Sequence, residues 1–295
     1  MTRQRRTEIR LGAILGAIAS LILFSASAVA SDQGKLREEF HQVYPLTALG
    51  RLELQNINGA VHISGWDRNE VKVDAVKTAW SKKRLDEAKI EVNARPDSVS
   101  IRTRYPDHNQ TFTDDDHGNP ASVEYTINVP RQARLDEVSL VNGPLDVQGV
   151  TGEVHASCVN GRLEVHNLQG RAQLSTVNGQ LDAAIDQLAT APLEMSAVNG
   201  GLKITLPSDA KARLEASTVS GGISDDFGLH VSRHMVGQSL RGELGGGGTD
   251  IKLSNVNGHI EIRHANDNRP LSPAKNLERD RKGHDDDGDD DDDSI

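Results

Sequence analysis

The 295-residue sequence predicts an all-β protein of the parallel β-helix, or β-solenoid, class. Three observations predict this class: a nine-residue motif recurs seven times, its copies are evenly spaced, and its apolar residues alternate with polar ones. The copies share the consensus Ser-x-Val-Asn-Gly-x-Leu-x-Val, as in "STVNGQLDA" from Ser175. From Asn142 onward the corresponding positions are 18, 18, 21, 21 and 37 residues apart, so we expect about 18–21 residues in each coil.

The motif has a second interpretation as a β-hairpin, because Asn-Gly between alternating apolar residues is the strongest short-range hairpin signal. A hairpin would place Val177 and Leu181 on opposite faces of the sheet, each opposite a polar partner. If the chain does not reverse at Asn-Gly, Val177, Gly179 and Leu181 all lie on one face of a continuous strand, and the charged residues lie on the other face. We therefore expect a bent strand in each coil, with the Val, Leu and Ile of each copy facing the core.

The Asn-Gly pairs are the candidate structural corners of the coils. A glycine on the inward phase would let the strand bend closely over a narrow core. The preceding Asn or Ser tolerates the special backbone of a corner, or bonds to its stacked neighbour. The predicted corners are Asn58-Gly59, Asn142-Gly143, Asn160-Gly161, Asn178-Gly179, Asn199-Gly200, Ser220-Gly221 and Asn257-Gly258.

Composition divides the rest of the chain. We predict an irregular N-terminal β part over 49–130, with a polar insert at 106–121 and a short helix capped by Ser81, and solenoid repeats over 131–264. Residues 31–48 have the character of a linker. Residues 265–295 end in an Asp-rich run and cannot bury enough apolar surface to fold, so a disordered acidic tail is expected.

The first 30 residues have the layout of a secretory signal peptide. Four arginines precede the apolar run "LGAILGAIASLILF", and Ala28-Val29-Ala30 forms a small-x-small cleavage site before Ser31. An uncleaved membrane anchor is the alternative, but the run is shorter than the about 20 residues of a span. We therefore expect an extracytoplasmic protein, periplasmic or on the cell surface or secreted, with no stable membrane span after cleavage.

The charge distribution argues against nucleic acid as a partner. The chain has a formal net charge of −10, to which the first 30 residues contribute +3 and the eight aspartates at 285–287 and 289–293 contribute −8. The body between them carries only about −5 and offers no basic footprint. The tail has three interpretations: a solvated end, an attachment to a basic partner, or weak divalent-cation binding through carboxylate oxygens.

No catalytic, cofactor-binding or metal site is predicted. Outward charges are scattered among the coils, and only Trp66, Trp80 and three tyrosines follow the cleavage site, which is few for a carbohydrate-binding platform. His230 and His234 have the spacing of helical metal ligands but lie among predicted strands. The acidic stretch "TDDDHGNP" lacks the spaced acids of a calcium loop, and the four-glycine run lacks the Lys-Ser/Thr of a phosphate loop. Cys158, the single cysteine, cannot form an intramolecular disulfide and is expected to be a small outward-facing filler.

Four features of the chain occur together: the signal sequence, an early "NGAVHISGWDRNEVKV", a central "INVP" and the serial "VNGxLxV" strands. In these features the chain resembles the putative-adhesin domain family of bacterial envelope proteins over about residues 49–264. The resemblance implies a β-helix-like fold and an extracytoplasmic place, and brings no catalytic residues. We therefore predict a non-enzymatic binding or scaffolding surface for an unknown protein or polysaccharide partner. Two alternatives stay open, namely a glycan-active envelope enzyme and an envelope-stress accessory protein that binds another exported protein.

Overall fold

The computed structural model describes residues 29–30, 34–106 and 120–277, with Val29 and Ala30 described as backbone only. These residues form strands and one short helix, α1 (Lys82–Glu87), which confirms the all-β class. The strands are β1 (Val29–Ala30), β2 (Leu36–Pro45), β3 (Arg51–Asn58), β4 (Val61–Trp66), β5 (Glu70–Ala79), β6 (Lys89–Arg95), β7 (Ser98–Arg104), β8 (Ser122–Pro130), β9 (Arg134–Asn142), β10 (Leu145–Gln148), β11 (Val154–His166), β12 (Ala172–Ala184), β13 (Leu193–Asn199), β14 (Leu202–Leu206), β15 (Ala212–Ser220), β16 (Ile223–Asp225), β17 (Val231–Arg233), β18 (Gln238–Leu244), β19 (Thr249–Asn257), β20 (Ile260–His264) and β21 (Ala274–Asn276).

The strands stack into two walls that enclose one apolar core. Along the axis, the first wall consists of β6, β7, β3, β9, β11, β12, β13, β19, β15 and β18. The second wall consists of β2, β5, β8, β4, β10, β11, β12, β14, β20 and β16. The long strands β11 and β12 belong to both walls, because each continues around an Asn-Gly corner without a break.

Successive copies of the motif pair in parallel and in register. Asn160 is opposite Asn178, and Leu163 is opposite Leu181, on the same pair of strands. A hairpin at Asn-Gly would instead pair the two halves of one copy antiparallel to each other. The β-solenoid prediction is therefore confirmed, and the hairpin interpretation is excluded.

The inward face differs from the expectation in the first half of each motif. In β12, Leu174 and Thr176 are buried before the corner, and Leu181 and Ala183 are buried after it. Val177 is 40 % exposed, so the prediction that the motif valine faces the core is wrong. Four residues separate Thr176 from Leu181, whereas unbroken alternation requires an odd number between two inward residues. The corner thus shifts the inward phase by one residue.

The order of the coils along the axis differs from their order in the sequence. Asn199 pairs with Asn257, and Asn257 pairs with Ser220, so the coil that contains Asn257 lies between the other two. The chain between β15 and β19 forms β16, β17 and β18, and β18 runs antiparallel to β15. At the other end, Asn58 pairs directly with Asn142 across the long N-terminal excursion.

Antiparallel strands and the helix cover the N-terminal end of the stack. Ser81 is the predicted helix cap, and its hydroxyl accepts a hydrogen bond from the backbone N–H of Arg84 at 3.3 Å. Leu85 of α1 is fully buried. The ammonium group of Lys77 donates to the carbonyl oxygens of Leu85 and Ala88 at the end of the helix, where carbonyl groups have no intrahelical partner.

Two segments at the edges of the predicted domain are more ordered than expected. The supposed linker contains the ten-residue strand β2, whose alternating burial and full antiparallel pairing with β5 make it part of the second wall. Beyond residue 264, β21 pairs with β18. The rest of the predicted acidic tail, residues 107–119 of the polar insert, and the signal segment with Ala28 and Ser31 lie outside the described residues; Ala30 is described only as backbone in β1.

Substituting Leu181 and Val177 by Asp, one at a time, tests the assignment of the inward face within a single strand. Leu181→Asp buries an unpaired carboxylate, so we expect it to lower the free energy of unfolding by more than about 4 kcal/mol or to prevent folding. Val177→Asp leaves the charge in water and should cost less than about 1 kcal/mol. Urea unfolding followed by circular dichroism measures both, and equal losses would contradict the assignment.

Candidate functional site

A ladder of asparagine side chains runs along the Asn-Gly corners. Each Asn except the first, Asn58, donates from Nδ2 to Oδ1 of the Asn in the adjacent coil, at 2.8–3.0 Å. Six coils contribute, and their order along the axis is Asn58, Asn142, Asn160, Asn178, Asn199 and Asn257. Each amide carries a second N–H that the ladder does not use, and the asparagines from Asn142 onward are exposed. Ser220 occupies the corresponding position in the last coil.

The glycine that follows each Asn is required by a close backbone approach between coils. Gly179 has φ +154°, and a Cβ atom built on it would overlap the carbonyl oxygen of Gly161 in the neighbouring coil. Gly200 and Gly258 face the preceding glycine in the stack in the same way. These glycines therefore allow contact with the next corner along the axis, rather than the predicted bend over a narrow core.

Beneath the corner, the inward residue two positions before each Asn is often polar and donates to a glycine or valine carbonyl of an adjacent coil. Asn255 donates from Nδ2 to the carbonyl oxygen of Gly200 at 2.9 Å, and Thr218 donates to that of Gly258 at 3.3 Å. Asn56 donates to the carbonyl oxygen of Val123. These bonds satisfy polar backbone groups that the corner turns toward the core.

Cys158 occupies the same inward position, which corrects the expectation of an outward filler. Its side chain is buried, and its Sγ lies 3.4 Å from the carbonyl oxygen of Gly143. Burial raises the pKa of the Cys158 thiol. The side chain is therefore a small core residue with a weak donor.

The outer face of the first wall presents two further rows next to the asparagines. One row is hydroxyl-bearing: paired positions place Ser139, Ser157, Ser175, Ser196, Ser254 and Ser217 in one line. The other row holds the β-branched residue that precedes each corner, from partly to more than half exposed: Ile57, Val141, Val159, Val177, Val198, Val256 and Val219. We call the asparagine, serine and β-branched rows together the ladder face.

The ladder face contains no charged side chain. Charged residues begin one row farther from the corner, where Glu194 of β13 lies opposite Lys252 of β19 and Glu215 of β15 follows. Seven coils at the usual strand spacing of about 4.8 Å give the face a length of about 29 Å. Its chemistry is that of a flat strip of methyl groups bordered by hydroxyls on one side and amides on the other.

The other candidate residues from the sequence do not come together as a site. His230 and His234 flank the short strand β17 and are exposed, so they are not on one helical face. Within the described residues no group of three or more His, Cys, Asp or Glu side chains has the arrangement of a metal site. Gly245–Gly248 form the turn between β18 and β19. The described part of the chain contains no helix that is long and apolar enough to cross a membrane.

Comparison with known proteins places the repeat region in one family. The family model described as Toastrack DUF4097 matches residues 47–263, which is most of the chain and includes every predicted corner. This match confirms the resemblance that the repeats indicated. Among curated proteins, none matches the chain.

Three solved structures are similar to the described fold. A putative cell adhesion protein from Clostridium sporogenes is 13% identical, with a TM-score of 0.47, over 77% of this chain and 100% of that chain. A putative adhesin from Bacteroides fragilis is 10% identical, with a TM-score of 0.28, over 77% of this chain and 97% of the other. A putative adhesin from Parabacteroides merdae is 8% identical, with a TM-score of 0.18, over 76% and 95%.

Adding one methyl group at Gly179 tests the close approach of the corners. Gly179→Ala introduces both an unfavourable positive φ and an overlap with the carbonyl oxygen of Gly161, so we expect a loss of at least about 2 kcal/mol in the free energy of unfolding. Gly201→Ala is the matched control, because a Cβ there meets no atom within 4 Å. Urea titration should show less than about 0.5 kcal/mol for the control, and an equally mild Gly179→Ala would refute the constraint.

The burial of Cys158 predicts that a water-soluble thiol reagent reacts with the protein only after unfolding. Folding shields the sulfur and the raised pKa keeps it protonated, whereas the thiolate is the reactive form. Labelling with a chromogenic disulfide reagent should be slow in buffer and should follow the unfolding transition in urea. Rapid stoichiometric labelling of the native protein would place the side chain outside the core.

Proposed function

The chain belongs to the Toastrack DUF4097 family, and from that premise we propose that it is an exported, non-enzymatic β-solenoid that acts as an adhesin-like binding or scaffolding surface in the bacterial cell envelope. The observation that carries the proposal is the ladder face. Seven coils align an uncharged strip of exposed β-branched side chains between hydroxyl and amide rows. An exposed apolar strip of this length is a feature of interaction surfaces.

The shape of the ladder face favours an extended partner. Each row repeats the same group at the strand spacing of about 4.8 Å, so a partner that lies along the axis meets the same chemistry at every step. The methyl strip removes apolar partner surface from water, and the serine hydroxyls and the free amide N–H groups provide hydrogen bonds along both borders. A protein segment or a polysaccharide chain has this extended form.

The composition of the chain supports the proposed cellular location and the proposed class of partner. The first 30 residues have the layout of a signal peptide, and the single cysteine leaves the fold independent of intramolecular disulfides outside the cytoplasm. The body is mildly acidic, and the terminal aspartates add more negative charge, so an anionic nucleic acid has no basic surface to bind. Weak divalent-cation binding by the aspartates is retained as part of the proposal.

Charged substitutions on the ladder face test this function. The purified chain from Ser31 onward would be sedimented with isolated cell envelopes and peptidoglycan sacculi of the source bacterium. We expect the unmodified chain to sediment with at least one of these, and Val177→Glu/Val198→Glu to weaken the interaction by at least about tenfold, because two charges would have to be desolvated in the apolar strip.

The matched control places the same change on exposed apolar residues elsewhere. Val43→Glu/Leu271→Glu alters side chains that are 52 % and 45 % exposed and do not belong to the ladder face. Equal binding by the two double variants, with both folded, would contradict the role of the face. New reducing ends released from the sacculi would replace the proposal with the enzymatic alternative. Protease treatment of intact cells, with detection of the solenoid, separates a surface location from a periplasmic one.

A further inference from the structure

A groove of about 450 Å³ lies at the far corner, where the coils leave the second wall. Its lining includes Trp66, the last residue of β4, and Pro130, the last residue of β8. It continues past Thr151 and Gln169, which follow β10 and β11 in the adjacent coils. The groove therefore runs along the solenoid axis past the ends of four successive strands of the second wall, β8, β4, β10 and β11, on a different corner from the ladder face.

The backbone at the centre of the groove is held by hydrogen bonds from three sides. The N–H of Arg131 donates to the carbonyl oxygen of Trp66 at 3.0 Å. The carbonyl oxygen of Arg131 accepts from the backbone N–H of Thr151 at 2.6 Å, from that of Gly152 at 3.3 Å, and from the Thr151 hydroxyl at 3.1 Å. The root of the Arg131 side chain is thus fixed before any ligand arrives, which lowers the entropy cost of binding.

Arg131 and Asp67 present a donor and an acceptor side by side. The Nε of Arg131 donates to Oδ1 of Asp67 at 2.7 Å, and both side chains are well exposed. Among the described residues no hydrogen-bond partner is assigned to the terminal guanidinium nitrogens of Arg131. The pair therefore offers free guanidinium N–H donors next to a free carboxylate oxygen, the arrangement that two neighbouring hydroxyl groups of a ligand can satisfy together.

The rest of the lining combines an aromatic ring with neutral polar side chains. The guanidinium carbon of Arg68 lies 5.0 Å from the ring centroid of Trp66, and its Nη1 is 3.4 Å from a carboxylate oxygen of Glu70. Asn69, Gln132 and Gln169, which carry side-chain amides, also line the groove. Each arginine has a carboxylate partner, Asp67 for Arg131 and, just outside the lining, Glu70 for Arg68, so neither guanidinium is left as an unpaired charge with which to attract an ion.

We propose that this groove binds a neutral saccharide unit that carries vicinal hydroxyl groups. The Arg131–Asp67 pair would bind two adjacent hydroxyls, the amides would bind others, and Trp66 would pack against the C–H face of the sugar ring. Asp67 is the only carboxylate among the residues that line the groove, whereas glycoside hydrolysis usually requires two. The site is therefore one for binding. It does not depend on the ladder face and goes beyond the function proposed for that surface.

The experiment uses Trp66 as its own reporter. Trp80, which is 50 % exposed outside the groove, is replaced by Phe so that Trp66 is the single tryptophan of the chain. This protein is titrated with maltohexaose, cellohexaose and N-acetylchitohexaose, and with hexagalacturonate as the acidic counterpart, at low and high salt. We expect a saturable change in fluorescence with at least one neutral hexasaccharide, at an affinity that salt does not alter.

Two groove variants and one control variant identify the residues responsible. Arg131→Leu should weaken binding by at least about tenfold, because it leaves Asp67 without its donor and removes bonds from a charged group to the ligand. Gln169→Ala removes an exposed amide without touching the backbone at Arg131 and should weaken binding measurably. Arg263→Leu is the control, since Arg263 is also exposed and also 2.7 Å from a carboxylate, that of Glu261, but lies on the second wall outside the groove.

Each other outcome overturns the proposal. No saturable change with any neutral hexasaccharide excludes the ligand class, and salt-sensitive binding of hexagalacturonate alone would assign the groove to an anion. The groove would be excluded as the binding location if Arg131→Leu and Arg263→Leu changed the saccharide affinity equally. It would also be excluded if neither Gln169→Ala nor Arg131→Leu changed that affinity. If Val177→Glu/Val198→Glu abolishes saccharide binding, the sugar belongs on the ladder face, and only the inference about the groove fails.

Discussion

The solenoid depends on one contact that recurs between coils, the approach of a glycine to the glycine carbonyl of the neighbouring corner. At Gly179 this approach leaves no room for a Cβ atom. The corners can therefore stack at the separation of hydrogen-bonded strands, and the asparagine amides come within 2.8–3.0 Å of one another. Once the corners are aligned, the registers of both walls follow, because β11 and β12 continue from one wall to the other through the corner.

Alignment of the corners also determines the surface. In-register stacking places equivalent residues of the motif next to each other, so a residue type that recurs in the sequence becomes a continuous row on the outside. The phase shift at the corner turns Val177 and its equivalents outward. This exposed β-branched row adds little to the core, although β-branched residues also suit strands, and it is the feature on which the proposed interaction surface rests.

The repeat spacing was sufficient to predict parallel stacking, since only an in-register coil keeps Leu163 and Leu181 on one inner face. The inward role of Val177 was predicted wrongly because strict alternation does not account for the extra residue that a corner contains. The position of Asn257 between the coils of Asn199 and Ser220 depends on pairing between distant strands, which no local pattern encodes. The groove is not predictable from the sequence, because Asp67 and Arg131 are 64 residues apart in the chain and meet only through the pairing of β4 with β8.

The exchanged order of the last two coils has a consequence for how the protein assembles in time. If the chain folds in order from its N-terminus, coils can be added one after another only as far as the coil that contains Asn199. The strand β15 then has β18 as its neighbour on one side only, because β19 and β20, which come later in the chain, lie between β15 and β16 and the earlier coils. Completion of the stack is therefore an insertion event, and it waits for the chain beyond Thr249 to arrive. In the finished fold β19 bonds to β13 on one side and to β15 on the other, and β20 bonds to β14 and to β16, so this last coil has to match two edges where every added end coil has to match one.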